Sequence, residues 1–332
     1  MKHFSFIVAF LCLWGYAAMA QNISFKFQDG LYDANLKTKM ERTISALLTE
    51  FNTAHSQHRA LRLDGFTLTD RAKRSLTQTW DSIASFTCNF DQNISHCLRT
   101  VTSYEIREIY VTLHPRHGNY SGALDREFSI CFTSDGTITS AHMTMEDNAS
   151  YRTILSQSGD VTDVARKMEI LKFVEDFRSY YDEKDLKALE QIYSDDALII
   201  TGKVINSRKL GDRGPRLDEG KKIVYNKQTK EQYINSLRGI FARNKYIRVK
   251  FDDIEIMKHN AKDGFYGVTL KQNWKAMNAA GGTRYEDDGY LFLLWQFREG
   301  EPPLVHVRTW QPDPYGQMKK DEVFNFNDFL IE

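Results

Sequence analysis

The stretch FVEDFRSYYDEKDLKALEQIYSDDALIITG, Phe173 to Gly202, holds a helix, a second short helix and a strand with almost no connecting chain between them. With the residues upstream, VARKMEILK from Val164, it places Met168, Leu171, Val174, Phe177, Tyr181 and their neighbours at three- and four-residue spacing. That is the pattern of an amphipathic helix buried along one stripe. Asp185 is positioned to cap DLKALEQIY, and SDDA then leads into the β-branched run ALIITGKVI. A third helix is predicted in TKEQYINSLRGIFARN, where Thr229 and Gln232 have capping-box spacing and Tyr233, Leu237, Ile240 and Phe241 form the apolar face. Strands follow in KYIRVKFDDIEIMKH, FYGVTLKQNWKA, EDDGYLFLLWQFRE and PLVHVRTWQPD, separated by Asn, Gly and Pro. In GYLFLLWQF both alternate sets are apolar, so both faces of that sheet are expected to be covered, by helices on one side and by a partner domain or subunit on the other.

The order helix, helix, strand, helix, then strands reads as α+β: a cone of three helices packed on a curved antiparallel sheet. On the residues from Phe173 to Gly202, this half of the chain resembles the nuclear-transport-factor-2-like superfamily, also called SnoaL-like or cystatin-like. The resemblance lies in element order and hydrophobic pattern. It implies a cavity and allows isomerases, dehydratases, cyclases and noncatalytic binding domains, so it leaves function open. In ketosteroid-isomerase-like members it further implies a tyrosine on the first helix, a carboxylate base on the first strand and a second carboxyl on a late strand. Tyr180 or Tyr181 matches the first, but the other two positions fall at Thr201 and near Leu293. Threonine does not take a proton at neutral pH as a carboxylate does, and leucine donates nothing to an oxyanion.

The remaining candidates for the cavity are Thr201, Gln272, Trp274, His306, Arg308 and Trp310. Strand alternation puts His306, Arg308 and Trp310 on one face, where Arg308 would hold an anion beside an apolar wall. The plainer reading pairs Arg308 with Glu286 or Asp287 and leaves Trp310 as core. Asp195-Asp196 and Asp287-Asp288 read as turns, and Asp252-Asp253 as a bulge.

At the other end, Lys2 and His3 precede the apolar run FSFIVAFLCLWGYAA and the small-x-small pattern Ala18-Met19-Ala20. Residues 1–20 therefore read as a signal peptide cleaved before Gln21, and the protein as exported to the periplasm, the cell surface or beyond. The apolar segment is shorter than the ~20 residues that span a bilayer, so the protein is not expected to be membrane-embedded. Of the three remaining cysteines, Cys88 and Cys97 flank NFDQNISH and are the pair expected to form a disulfide, with Cys131 a buried thiol.

Residues 21–157 form the predicted N-terminal domain and 158–332 the cone. The first reads as two helices, LKTKMERTISALLTEFNTAHSQH and TDRAKRSLTQTWDSI, followed by a strand meander with hairpin chemistry at Ser134-Asp135-Gly136. His55 with His58, and His114 with His117, lack the further ligands of a metal site, and no cofactor signature is present. Lys plus Arg equals Asp plus Glu at 44 each, so no global field draws in nucleic acid. Between ALIITGKVI and the third helix, INSRKLGDRGPRLDEGKKIVYNK reads as a hairpin with a basic tip. As a whole the chain resembles exported two-domain proteins of gut Bacteroidales. Three functions fit: an exported noncatalytic module binding a protein or small ligand; a lyase or isomerase with His306 as base and Tyr180 or Arg308 at an oxyanion; and a structural subunit forming a homodimer through its apolar sheet face.

Overall fold

A computed structural model of the chain describes residues 21–100, 103–116, 124–144, 153–156, 161–207 and 220–329. The expected signal peptide, His117 and the basic hairpin tip lie outside the described residues.

The N-terminal half opens with a strand that the sequence reading missed, β1 (Phe25–Asp29), followed by α1 (Ala34–Ser56) and α2 (Asp70–Ser82). Met40, Ile44, Leu47, Leu48 and Phe51 of α1 are fully buried, as the periodicity requires. Thr69 caps α2 by accepting from the Ala72 N–H. Six strands follow: β2 (Ala84–Thr87), β3 (Gln92–His96), β4 (Leu98–Arg99), β5 (Tyr104–Pro115), β6 (Asp125–Phe132) and β7 (Ile138–Met143). Strands β2, β5, β6 and β7 are neighbours in that order, β4 pairs with β5, and β1 pairs in parallel with β3. The meander is therefore larger than expected, because strands of two to five residues are too short to show a period. The Ser134-Asp135-Gly136 turn joins β6 to β7, with Gly136 at φ +81° and Asp135 accepting from the Thr137 N–H.

The expected Cys88–Cys97 disulfide is absent; both are free, buried thiols, as is Cys131. The reason is β3 itself. Cys88 Sγ lies 3.1 Å from Gln92 Nε2 at one end of that strand, and Cys97 follows its other end. Five residues of extended chain separate those ends, about 16 Å at strand rise, whereas bridged cysteines have Cα atoms within about 7 Å.

The C-terminal half contains α3 (Val164–Asp182), α4 (Leu186–Ile192), β8 (Tyr193–Ser207), β9 (Gly220–Gln228), α5 (Lys230–Arg243), β10 (Tyr246–Lys258), β11 (Phe265–Met277), β12 (Thr283–Gln296) and β13 (Leu304–Pro312). Asp185 caps α4, and Thr229 and Gln232 form the capping box of α5. The sheet order is β10-β11-β12-β13-β8-β9, with the three helices packed on one face: an α+β cone. It is a mixed sheet rather than an antiparallel one, because β13 runs parallel to β8. Asp253 does mark a bulge, at φ +51° where the β10–β11 register shifts. The two other Asp pairs are not turns: Asp195 and Asp196 lie in the first residues of β8, and Asp287 and Asp288 lie within β12.

Both faces of the sheet are covered, as GYLFLLWQF required. Leu291, Leu293 and Trp295 face the helices, while Phe292 and Leu294 join Val307 on the outer face. No partner subunit is needed to cover that outer cluster: Phe324, Phe326 and Phe329 of the chain's own tail pack on it. Gly267 of β11 is the seat for Phe326, since a Cβ there would lie 2.8 Å from the ring. Gln311 fastens the tail, donating to the Glu322 carbonyl at 3.0 Å and accepting from the Phe324 N–H at 2.7 Å.

Helix α3 joins the two halves. Its apolar stripe (Met168, Leu171, Val174, Phe177, Tyr181) enters the cone, and its charged stripe is buried against the N-terminal sheet. There Arg107 of β5 meets Glu105 at 3.0 Å, Glu127 of β6 at 3.3 Å and Glu175 of α3 at 2.9 Å. His142 of β7 lies 3.8 Å from Glu175. Asp176 is held by Lys172 at 2.7 Å and by Arg71 of α2 at 3.3 Å, and Glu183 accepts from Ser75. Pairing of this kind offsets the desolvation of the buried charges.

Candidate functional site

Residues opposite one another in a sheet share a face, which orders the inner wall of the cone into rows. Asp287 pairs with Trp274, Gly289 with Gln272, Leu291 with Trp310 and Leu293 with Arg308. Thr201 of β8 pairs with Trp310 from the other side. Five of the six predicted residues (Thr201, Gln272, Trp274, Arg308 and Trp310) therefore line one inner face.

His306 does not. The β12–β13 register shifts where Leu294 opposes Val307 but Trp295 opposes Val305, so His306 falls in a bulge. Val305 packs into the cone core and Val307 onto the outer face, which breaks the period-two argument between His306 and Arg308. His306 instead hydrogen-bonds Gln296 at 2.9 Å and rests against Phe265, on the outer side. Tyr180 is likewise turned away: the Arg71 guanidinium sits 4.3 Å from its ring centroid, on the side of the N-terminal half. Of the two helix tyrosines, Tyr181 is the one inside, donating to or accepting from Tyr233 Oη at 2.7 Å and Tyr193 Oη at 3.3 Å.

Arg308 lies against this tyrosine cluster. Its guanidinium stands 4.9 Å from the Tyr233 ring centroid and beside the Tyr181 hydroxyl, and the residue is 4% exposed. Burial pushes the Tyr193 and Tyr233 phenols well above their ordinary range, so they stay neutral. Arg308 itself remains a cation. Its Nε and Nη1 have no hydrogen-bond partner, and among the described residues no carboxylate lies within 4.0 Å. Glu286, one of its two expected partners, pairs with Lys275 at 2.9 Å; Asp287, the other, accepts from Tyr285 at 2.7 Å. Gln272 is also buried, with Oε1 unpartnered. Buried polar atoms are rarely left so.

Asp287, which the sequence suggested as a turn residue or as a partner for Arg308, lies on the same inner face as Trp274. It is half-buried at the mouth of the cone, bonded by Tyr285 and by the Trp310 indole, and burial raises its carboxyl above the ordinary value. Counting back by twos from Leu291 would have placed it inside.

Elsewhere, the structure stacks His114 on His55 at 4.0 Å between ring centroids, a contact the sequence did not suggest. No group of three His, Cys, Asp or Glu residues able to hold a metal ion occurs among the described residues. A cleft of about 310 Å³ lies between β9 and the tail, but its carboxylates are engaged by backbone N–H groups: Asp313 by Gln317 and Met318, Glu322 by Lys319. Among the described residues no helix is long and apolar enough to cross a membrane.

No protein-family model and no curated protein matches the chain. Solved structures with a similar fold are an NTF2-like protein from Cytophaga hutchinsonii (16% identity, 45% of this chain and 98% of that one, TM-score 0.32) and a putative scytalone dehydratase from Novosphingobium aromaticivorans (12% identity, 47% and 97%, TM-score 0.33). A third, Bdellovibrio bacteriovorus Bd1075, is 13% identical over 54% of this chain, with a TM-score of 0.32; the match spans about half of that protein's length, 49%.

Proposed function

We propose that this chain is an exported, noncatalytic binding module whose C-terminal cone takes a small organic anion at Arg308. The observation that carries the reading is the buried, permanently charged guanidinium with two nitrogens unpartnered. An uncompensated buried cation costs several kcal/mol, and an anionic ligand removes that cost. Trp274 and Trp310 supply the apolar walls that such sites use to hold a ligand body. The noncatalytic part rests on Thr201 and Leu293 standing where the resemblance would put carboxylates, and on His306 lying on the outer face.

Calorimetry with simple aromatic monocarboxylates tests this. Arg308→Met is expected to weaken binding at least tenfold, since hydrogen bonds to a charged group contribute about 1.5–3 kcal/mol; equal binding by the variant would sink the reading. Export rests on the Lys2-to-Ala20 pattern. Terminal sequencing of the protein recovered outside the cytoplasm should find Gln21 first, whereas retention inside the cell with residues 1–20 attached would rule export out.

A further inference from the structure

Building on Arg308 as the anion anchor, we infer that the ligand is an elongated zwitterion, its carboxylate on Arg308 and its ammonium at Asp287. The inner face carries two charges of opposite sign, and neither has a charged partner. Among the described residues no cation lies within 4.0 Å of Asp287; its hydrogen bonds come from the Tyr285 phenol and the Trp310 indole, which are neutral donors. Asp288 beside it adds negative charge. A half-buried carboxylate so placed attracts an ammonium and repels a second anion, and the neighbouring Trp274 and Trp310 rings offer cation–π faces.

The rows between the two charges fit the middle of such a ligand. From the mouth inward come Asp287 with Trp274, then Gln272 opposite Gly289, then Trp310 opposite Leu291, then Arg308 opposite Leu293. Gln272 Oε1, buried and without a donor, would accept an N–H from the ligand between its charged ends. Asp287 and Leu293 are six residues apart on β12, about 20 Å at strand rise. The side chains of Asp287 and Arg308 shorten that gap, leaving a ligand on the order of 10 Å between charges, the reach of about three extended residues. A short peptide with free termini has that length, both charges and the central N–H groups.

Calorimetry on the full mature chain with Ala-Phe-Ala, its N-acetyl form and its C-terminal amide tests this, each ligand against the native protein, Asp287→Asn and Arg308→Met. Thermal melts confirm that both variants are folded. N-acetylation should weaken binding at least tenfold in the native protein and leave Asp287→Asn unaffected; amidation should do the same in the native protein and leave Arg308→Met unaffected. If the acetylated peptide binds as well as the free one and Asp287→Asn changes nothing, the zwitterion inference is overturned while the anion site stands. Indifference to both amidation and Arg308→Met overturns the anion site itself. No binding of any peptide at millimolar concentration, with simple carboxylates still bound, also overturns the zwitterion.

Discussion

Replacing Arg107 by leucine should lower the free energy of unfolding by about 3–5 kcal/mol, the usual consequence of removing one partner of a buried ion pair. Arg107 is the cation that Glu105, Glu127 and Glu175 share, and all four residues are at most 4% exposed. Without it three carboxylates face one another across the joint between β5, β6 and α3, where water cannot compensate them. Urea denaturation reads the loss directly. Replacing Glu127 and Glu175 by glutamine in the same background should recover part of it, because the penalty lies in the uncompensated charges. A loss below about 1 kcal/mol, the scale of an exposed pair, would mean that the joint is solvated.

The same cluster sets the second large effect, on pH. Around it five carboxylates (Glu105, Glu127, Glu175, Asp176 and Glu183) face three cations, Arg71, Arg107 and Lys172, with His142 alongside. Burial, opposed by Arg107 and reinforced by the neighbouring carboxylates, raises the carboxyl pKa values of Glu105 and Glu127; burial, opposed by the Ser75 hydrogen bond, raises that of Glu183. The folded state then holds protons that the unfolded state has released. Their contribution is fully present below the ordinary glutamate range and is lost as pH rises through the raised values. Glu175 works the other way: Arg107 and His142 overcome its burial and hold it at about 2, so its contribution disappears only in strong acid. Urea midpoints should therefore decrease as the pH is raised above the ordinary glutamate range. Glu105→Gln with Glu127→Gln should flatten that slope and stabilise the protein at pH 8 by about 1–3 kcal/mol, the cost of buried groups left without full compensation. An unchanged slope in the double variant would show that both glutamates titrate normally.

The long elements were legible because their patterns are long. The α1 stripe and the capping chemistry of α4 and α5 needed only local residues. What could not be read was set by contacts distant in sequence. The α3 stripe containing Lys172, Glu175 and Asp176 has the composition of a solvent face, and only its burial against β5, β6 and β7 makes it a joint. His306 and Arg308 share a face in any unbroken strand, and a single bulge separates them. Cys88 and Cys97 are near in sequence yet held apart by β3. Asp287 was read by its neighbour Gly289 as a turn, although its alternation with Leu291 and Leu293 already pointed inward.

The surroundings of the Arg308 guanidinium test the account most directly. A high-resolution crystal structure of the full chain, grown with a bound carboxylate, should show the anion on the Arg308 guanidinium, between Trp310 and the tyrosine cluster. A protein carboxylate seated on that guanidinium, with the added ligand elsewhere, would contradict it.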